Sequence, residues 1–303
     1  MQYLKKSAEF NANVQYLNYI VSGNYGLQWG DPLDTLEIFN THQDDIQKLF
    51  RSWLLLQIMI SLGGGDRTLA KLRGVTDTTS QTLLPKIRFL EGVHYIHYHD
   101  DTYHLTPQGK VISSQIQDHI RTAFLFSKNP TFWSSHYLEA LPAPFLRDIS
   151  DLCNSTIVEI SNMDIFSVLE RFFEMVENAE YIHIVSSFMS HNHADALITK
   201  VKEGIPVEMV VNTEIAEELR KEPFLSKIKQ IEEYEHFRVY VAPMPLYIGL
   251  TVTDATLSFG LCRIDDYKYD ISSDLIGTDR PALAWGKHLF SYYKDISEEF
   301  TII

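Results

Sequence analysis

Three helical patterns followed by a short aromatic hairpin, between Ile46 and Leu105, constrain this chain more than any other feature. "DDIQKLFRSWLLLQIMISLGGG" carries Ile46, Leu49, Phe50, Trp53, Leu54 and Ile58 at helical spacing, and Gly63 to Gly65 stop it. "RTLAKLRGV" reads as a short second helix with Leu69 and Leu72 inward and Gly74 at its end. "DTTSQTLLPKIRFLEG" reads as a third, capped by Asp77, Thr78 or Thr79, with Leu83, Leu84, Ile87 and Leu90 inward and Gly92 as its stop. Pro85 inside it predicts a kink or a break. "VHYIHYHDD" and "TYHLTP" then read as two strands about a tight turn at Asp100-Asp101. Helix, helix, helix, hairpin is the order of a winged helix-turn-helix.

An α-helix fits the major groove of DNA, where its outward N-terminal residues reach base edges. Here those are Thr79, Ser80, Gln81 and Lys86. Arg67, Lys71 and Arg88 are placed for phosphates, which set register without reading sequence. Two aspartates at the wing tip repel phosphate, so the wing is expected to touch DNA through its flanks, His97 and Thr102. The wing histidines His94, His97, His99 and His104 have no cysteine beside them and read as exposed hairpin residues, not metal ligands.

Charge is unevenly spread. The 303-residue chain has a formal net charge of −14, yet residues 45–121 hold nine Lys and Arg against seven Asp and Glu. An acidic protein with one mildly basic module is expected to turn that module toward its partner. Cys153 and Cys262 suggest neither a disulfide framework nor a metal knuckle, so a reducing cytoplasm is the expected compartment. The most apolar run, Trp53 to Ile60, falls far short of the ~20 residues of a membrane helix. No basic-then-apolar secretory leader is read at the start.

The remaining segments set the domain plan: an extension at 1–44 with one or two helices, the winged helix at 45–110, a connecting helix and linker at 111–145, and an α/β sensor at 146–303. The connecting helix repeats Ile112, Ile116, Ile120 and Phe124, a candidate homodimer seam or a face that packs on the helix at 46–62. Pro142 and Pro144 mark the linker. Beyond them, "YIHIVSS", "IPVEMVVN" and "FRVYVAP" alternate with helical patterns, "LYIGLTVTDATLSFGLCR" reads as a hairpin turning at Asp254, and "ALAWGKHLFSYYKDI" closes as an amphipathic helix. Such alternation implies a partly parallel sheet.

Taken in order, "TTSQTLLPKIRFLEG", "DDTYHLTPQGK", "FWSSHYLEALPAPFLRDISDL", "YIHIVSSFM", "KEGIPVEMVV", "VTDATLSFGL" and "ALAWGKHLFSYYK" resemble the archaeal winged-helix transcriptional regulators of the methanogenesis regulatory type, over about residues 45–297. The resemblance implies a DNA-binding regulator whose C-terminal domain senses a signal or ligand, without identifying that ligand.

The α/β half also resembles a degenerate phospholipase D-like fold. Active members need H-x-K-x(4)-D, a His nucleophile with a Lys to hold the phosphate charge. Aligned on Asp254, the chain has Tyr247 and Gly249 in those places, so it is not expected to be an enzyme. The most site-like stretch is "SSFMSHNHADAL". Ligands of open α/β sheets sit beyond strand carboxyl ends, which here offer Ser186, Ser187, His191 and His193, with Asn212 and Thr213 on the next strand. No cofactor or metal is expected. The partners expected are duplex DNA, a second copy of the chain and a small-molecule effector acting through the helix at 111–127. A protein-docking adaptor, or a metal-dependent hydrolase built on His191 and His193, are the alternatives.

Overall fold

A computed structural model describes residues 32–159 and 166–301. The expected extension at 1–44 therefore lies largely outside the described residues; its last part belongs to helix α1, Pro32–Arg51. The chain divides into two compact units, one ending at His119 and one starting at Ile120.

In the first unit, α1 and α2 (Trp53–Gly63) are separate helices. Ser52 between them is extended, with φ −97 and ψ 101. One continuous 46–62 helix was expected, and the break resets the helical phase. Leu49 and Ile58 are buried as expected, joined by Leu55, Met59 and Leu62, while Phe50 and Trp53 stand 53% and 72% exposed.

Helix α3 (Leu69–Thr76) is capped by Thr68, whose hydroxyl accepts from the Lys71 amide at 3.2 Å. It runs past Gly74 and stops at Asp77 in the left-handed region (φ 45), which Asp tolerates better than most residues. Helix α4 (Ser80–Gly92) continues through Pro85 without a break. Gln81 and Pro85 are both exposed, so the carbonyl that the proline leaves without a donor is met by solvent.

Strands β1 (Ile96–His99) and β2 (Thr102–Leu105) pair antiparallel with His97 opposite His104. Arg67 adds a third, bridge-length strand, exchanging both main-chain hydrogen bonds with Tyr103. Helix α5 (Pro107–Lys128) follows at once, capped by Thr106 Oγ1, which accepts from the Gly109 amide at 3.0 Å. A side chain at 109 would put its Cβ 1.9 Å from the Tyr95 carbonyl oxygen, so only glycine lets this helix start against the wing. Ser113 Oγ then donates to the Met59 carbonyl at 2.8 Å, and Ile116 is buried in the same core. The unit is a winged helix-turn-helix with α5 packed on its own core.

In the second unit, α6 (Pro130–Ser135) and α7 (Ala143–Arg147) lead to β3 (Thr156–Glu159). The segment expected to be a linker is core here: Phe132, Trp133, Leu141 and Phe145 are buried, as are Ile149 and Leu152 just beyond it. Two prolines punctuated it, but its apolar residues are too many for a solvated tether. Further along come α8 (Phe166–Glu177), β4 (Ile182–Ser186), α9 (His191–Lys202), β5 (Val207–Val211), α10 (Thr213–Leu219), α11 (Phe224–Ile228) and β6 (Phe237–Val241). Strands β7 (Ile248–Val252), β8 (Leu257–Leu261) and β9 (Ser273–Gly277) precede α12 (Arg280–Asp295) and a two-residue β10 (Glu298–Glu299).

These strands form one eight-stranded sheet in the order β10-β6-β5-β4-β7-β8-β9-β3. Strands β4, β5 and β6 are parallel and every other pairing is antiparallel. Alternation along the strands divides the core. Val185, Val210, Leu250, Val252, Leu257 and Phe259 face α12, where Trp285 meets Phe259 edge-on at 5.2 Å and donates from Nε1 to the Phe145 carbonyl. Ile182, Ile184, Val207, Met209 and Val239 face α9 to α11 on the opposite side. Fully burying each such side chain stabilises by about 1.5–3 kcal/mol. Among the described residues, no helix is long and apolar enough to cross a membrane.

Candidate nucleic-acid interface and effector cavity

Leu83, Ile87 and Leu90 fix one side of α4 to the core, so Gln81, Pro85 and Arg88 form its exposed stripe. Ser80 is half-buried in the first turn. Thr79 is the cap: its Oγ1 accepts from the Thr82 amide at 3.4 Å and lies 3.1 Å from the Thr82 hydroxyl. Lys86 lies on the flank, in a shallow depression with Arg51, Trp53 and Phe89. Lys71 is exposed on α3. Arg67 has folded back, donating from Nε to Ser61 Oγ at 3.3 Å and from Nη1 to the Asp66 carbonyl at 3.1 Å.

The wing is tied to itself. His97 stacks on His104 with centroids 5.1 Å apart, and His104 Nδ1 is 2.9 Å from Asp66. Thr102 Oγ1 donates to the His99 carbonyl at 3.0 Å and sits 2.7 Å from His104 Nε2. Tyr98 donates to Asp101 at 2.6 Å, and His99 Nε2 is 3.1 Å from Asp100. Both tip carboxylates are thus held by wing side chains. Of the nine residues selected for DNA, Gln81, Arg88, Lys71 and His97 are exposed, Ser80 and Lys86 are partly so, and Arg67, Thr79 and Thr102 spend polar atoms on local structure.

The second unit has a cavity of about 110 Å³. It lies over the face to which β7, β8 and β9 turn Gly249, Thr251, Ser258 and Asp274. Its walls are Arg171, Phe172 and Met175 of α8, Ser186 at the end of β4 with residues 187–189 after it, and Tyr269. Gly249 and Gly260 are cross-strand partners, and a Cβ on either would fall 2.5 or 2.2 Å from the Tyr269 side chain. The tyrosine ring therefore lies flat on two bare strands. Its hydroxyl donates to Asp274 Oδ1 at 2.9 Å, and Ser258 Oγ donates to Oδ2 at 3.2 Å. Burial pushes the Asp274 carboxyl up to about 6, against the downward pull of Tyr269, Ser258 and Arg171.

Ser186, Ser187 and His193 line this cavity. Ser186 Oγ is engaged with the Phe188 main chain, and burial lowers the His193 imidazole while its Nδ1 meets Ser190 Oγ. The other three are elsewhere. His191 is exposed and stacks on Phe224 at 4.6 Å. Asn212 Oδ1 caps α10 by accepting from the Ile215 amide at 2.9 Å, and Thr213 is exposed in that helix's first turn. Sequence reasoning missed Arg171, Thr251, Ser258, Tyr269 and Asp274. The readable signal was the alternation of small residues (Gly249, Thr251, Ser258, Gly260) with large apolar ones along one hairpin, which leaves one sheet face without bulky side chains.

The phosphodiesterase positions are occupied otherwise. Tyr247 packs edge-on to Tyr137 at 5.4 Å, Gly249 receives the Tyr269 ring, and Asp254 Oδ1 accepts from the Glu180 amide at 2.8 Å in the hairpin turn. Among the described residues, no three His, Cys, Asp or Glu side chains converge in a way that could hold a metal.

Residues 43–123 match the model for the N-terminal domain of methanogenesis regulatory protein FilR1, and residues 165–296 match that for its middle domain. The chain belongs to the FilR1 family of archaeal winged-helix regulators. FilR1 of Methanothrix harundinacea (strain 6Ac) is 25% identical over 251 residues, which cover 82% of this chain and 56% of that protein, so this FilR1-family chain spans little more than half of its relative's length. Among solved structures, TrmBL2, described as an archaeal chromatin protein with a novel mode of DNA binding, matches at TM-score 0.39 and 17% identity, covering 84% of this chain and 99% of that one. Nuc from Salmonella typhimurium, a phospholipase D family member, matches at TM-score 0.36 and 12% identity, covering 48% of this chain and 99% of that one.

Proposed function

We propose that this chain is a DNA-binding transcriptional regulator of the archaeal cytoplasm, not an enzyme, and that its second unit takes a small-molecule effector. The observation that supports it most is the stripe of α4: Gln81 and Arg88 face outward, beside an ordered wing, on a helix whose opposite side is locked into the core. A glutamine so placed pairs with adenine, and Arg88 and Lys71 neutralise phosphates. Operator binding is tested by mobility shift across a salt series. Arg88→Ala and Lys86→Ala together weaken binding and reduce the slope of log K against log[salt] by about one unit per lost phosphate contact. Equal retention of wild type and double variant on promoter fragments would sink the reading.

The regulator is taken to act as a homodimer on a two-fold operator, with half-sites one helical turn or a multiple apart. The first half of the expected seam, Ile112 and Ile116, is used up on the winged-helix core. Ile120 and Phe124 stand 44% and 51% exposed and are what remains for a partner. Ile120→Glu with Phe124→Glu is expected to yield monomers by light scattering.

Effector and operator must influence each other reciprocally. A ligand that stabilises the second unit while leaving operator affinity unchanged contradicts the sensing role.

A protein-docking adaptor is the second reading, favoured by the exposure of Phe50 and Trp53 on the same unit as α4. Absence of any DNA shift, with one protein retained by wild type and lost by Trp53→Ala, selects it.

A further inference from the structure

The cavity over β7 to β9 carries one charge of each sign. Arg171 stands on its α8 wall, and among the described residues its guanidinium has no hydrogen-bond or ion-pair partner. Asp274 is in the same wall system, held by two hydroxyls and by no cation at contact distance. The rest of the lining that matters here is apolar: Phe172, Met175, Ile184, Leu197 and Met209. Resting on the reading of this cavity as the effector site, we infer that its ligand is a small zwitterion, a free amino acid with a compact apolar side chain. Its carboxylate meets Arg171, its ammonium meets Asp274, and its side chain lies against Ile184, Leu197 and Met209.

Three arguments favour this class. A ligand with a single charge would leave the opposite protein charge desolvated and unpaired, which is costly in a low-dielectric site. A neutral polyol would balance neither charge, and two of the lining hydroxyls, Ser186 and Ser258, are already engaged. The cavity is small, about 110 Å³, and open on one side, which suits a compact ligand whose end reaches the mouth.

Calorimetry and thermal shift on the full chain test this with three probes of one shape: L-valine, 3-methylbutanoate, which lacks the ammonium, and 2-methylpropylamine, which lacks the carboxylate. L-valine is expected to bind at least tenfold more tightly than either analogue. Asp274→Asn and Arg171→Gln are each expected to lose at least tenfold of that affinity. The titratable and charged neighbours of Asp274 are Tyr269, Arg171 and Asp270, and His193 lines the same cavity. With the Asp274 carboxyl pushed up to about 6, valine affinity falls roughly tenfold per pH unit below that point, and Asp274→Asn abolishes this dependence while leaving any contribution of His193.

Equal binding of either analogue overturns the inference, as does failure of L-valine, L-leucine and L-methionine alike to shift the melting temperature. If amino acids fail but a neutral metabolite binds, and Ser187→Trp blocks it, the ligand class falls and the effector site stands. If no metabolite binds and Ser187→Trp leaves operator regulation intact, both readings fall together.

Discussion

The two halves of the eight-stranded sheet treat the same face differently. Under α9 to α11 the parallel strands present Ile182, Ile184, Met209, Val211 and Val239, and the face is apolar core, with Ile184 and Met209 at the edge of the cavity. On the same face the antiparallel strands present Gly249, Thr251, Ser258, Gly260 and Asp274, and a cavity stands over them. On the other face, against α12, the antiparallel half is bulky and apolar, while the parallel half mixes Val185 and Val210 with His183, which stacks on Phe290, and Glu208, which meets Lys294. Strand topology does not make the cavity; side-chain size at alternate positions does.

Adjacent residues of β8 give the largest contrast. Phe259 is fully buried against Trp285, and Phe259→Ala is expected to cost about 3–5 kcal/mol in chemical denaturation. Ser258, one residue earlier, faces the cavity, and Ser258→Ala is expected to cost only about 1 kcal/mol, because it removes one hydrogen bond. Similar losses at both sites would mean the cavity face is core after all.

Gly260→Val comes next. Its Cβ would lie 2.2 Å from the Tyr269 oxygen, so the ring must move. A cost of about 1–3 kcal/mol follows, and pairing with Tyr269→Ala should recover part of it.

Two carboxylates four residues apart sharpen the comparison by pH. Burial pushes both upward. At Asp270 the donors Ser272, Ser273 and His136 outweigh burial and hold it at about 2; at Asp274 burial wins, and the group rises to about 6. Asp274, raised when folded, stabilises fully below its unfolded value and loses that stabilisation as pH rises through about 6. Asp270, lowered when folded, stabilises above its unfolded value and loses that stabilisation as pH falls toward about 2. Unfolding titrations of the ligand-free chain should therefore show Asp274→Asn gaining on the order of 1–2 kcal/mol over wild type at pH 7 and little at pH 4.

The smallest effect lies where the halves meet. Asp254, in the β7–β8 turn, accepts from the Glu180 amide just ahead of β4, and Asp254→Ala is expected to cost about 0.5–1.5 kcal/mol.

Periodicity revealed the winged helix, the three parallel strands, the β7–β8 hairpin and α12, because each is a run with one clear period. It misread the junction of α1 and α2, where the phase slips at Ser52 within an unbroken apolar pattern. Helix α3 ends at Asp77, three residues past Gly74, because a short polar side chain can adopt the left-handed stop as glycine does. Strands β3 and β9 went unread: they join residues distant in sequence, and nothing local in Thr156–Glu159 announces its partner. The cavity was half legible. Ser186, Ser187 and His193 follow a strand end, a position that points to ligands in any open α/β sheet. Arg171, Tyr269 and Asp274 reach it from three separate segments, which only the folded chain brings together. Asn212 looked equally promising, but its side chain serves the helix behind it.

The aromatic ring laid across Gly249 and Gly260 acts as an interlock on the cavity floor. Any side chain at either position strikes Tyr269. Enlarging one of them would first require evicting that ring and finding Asp274 another donor, so the two glycines, the tyrosine and the carboxylate can change only as a set.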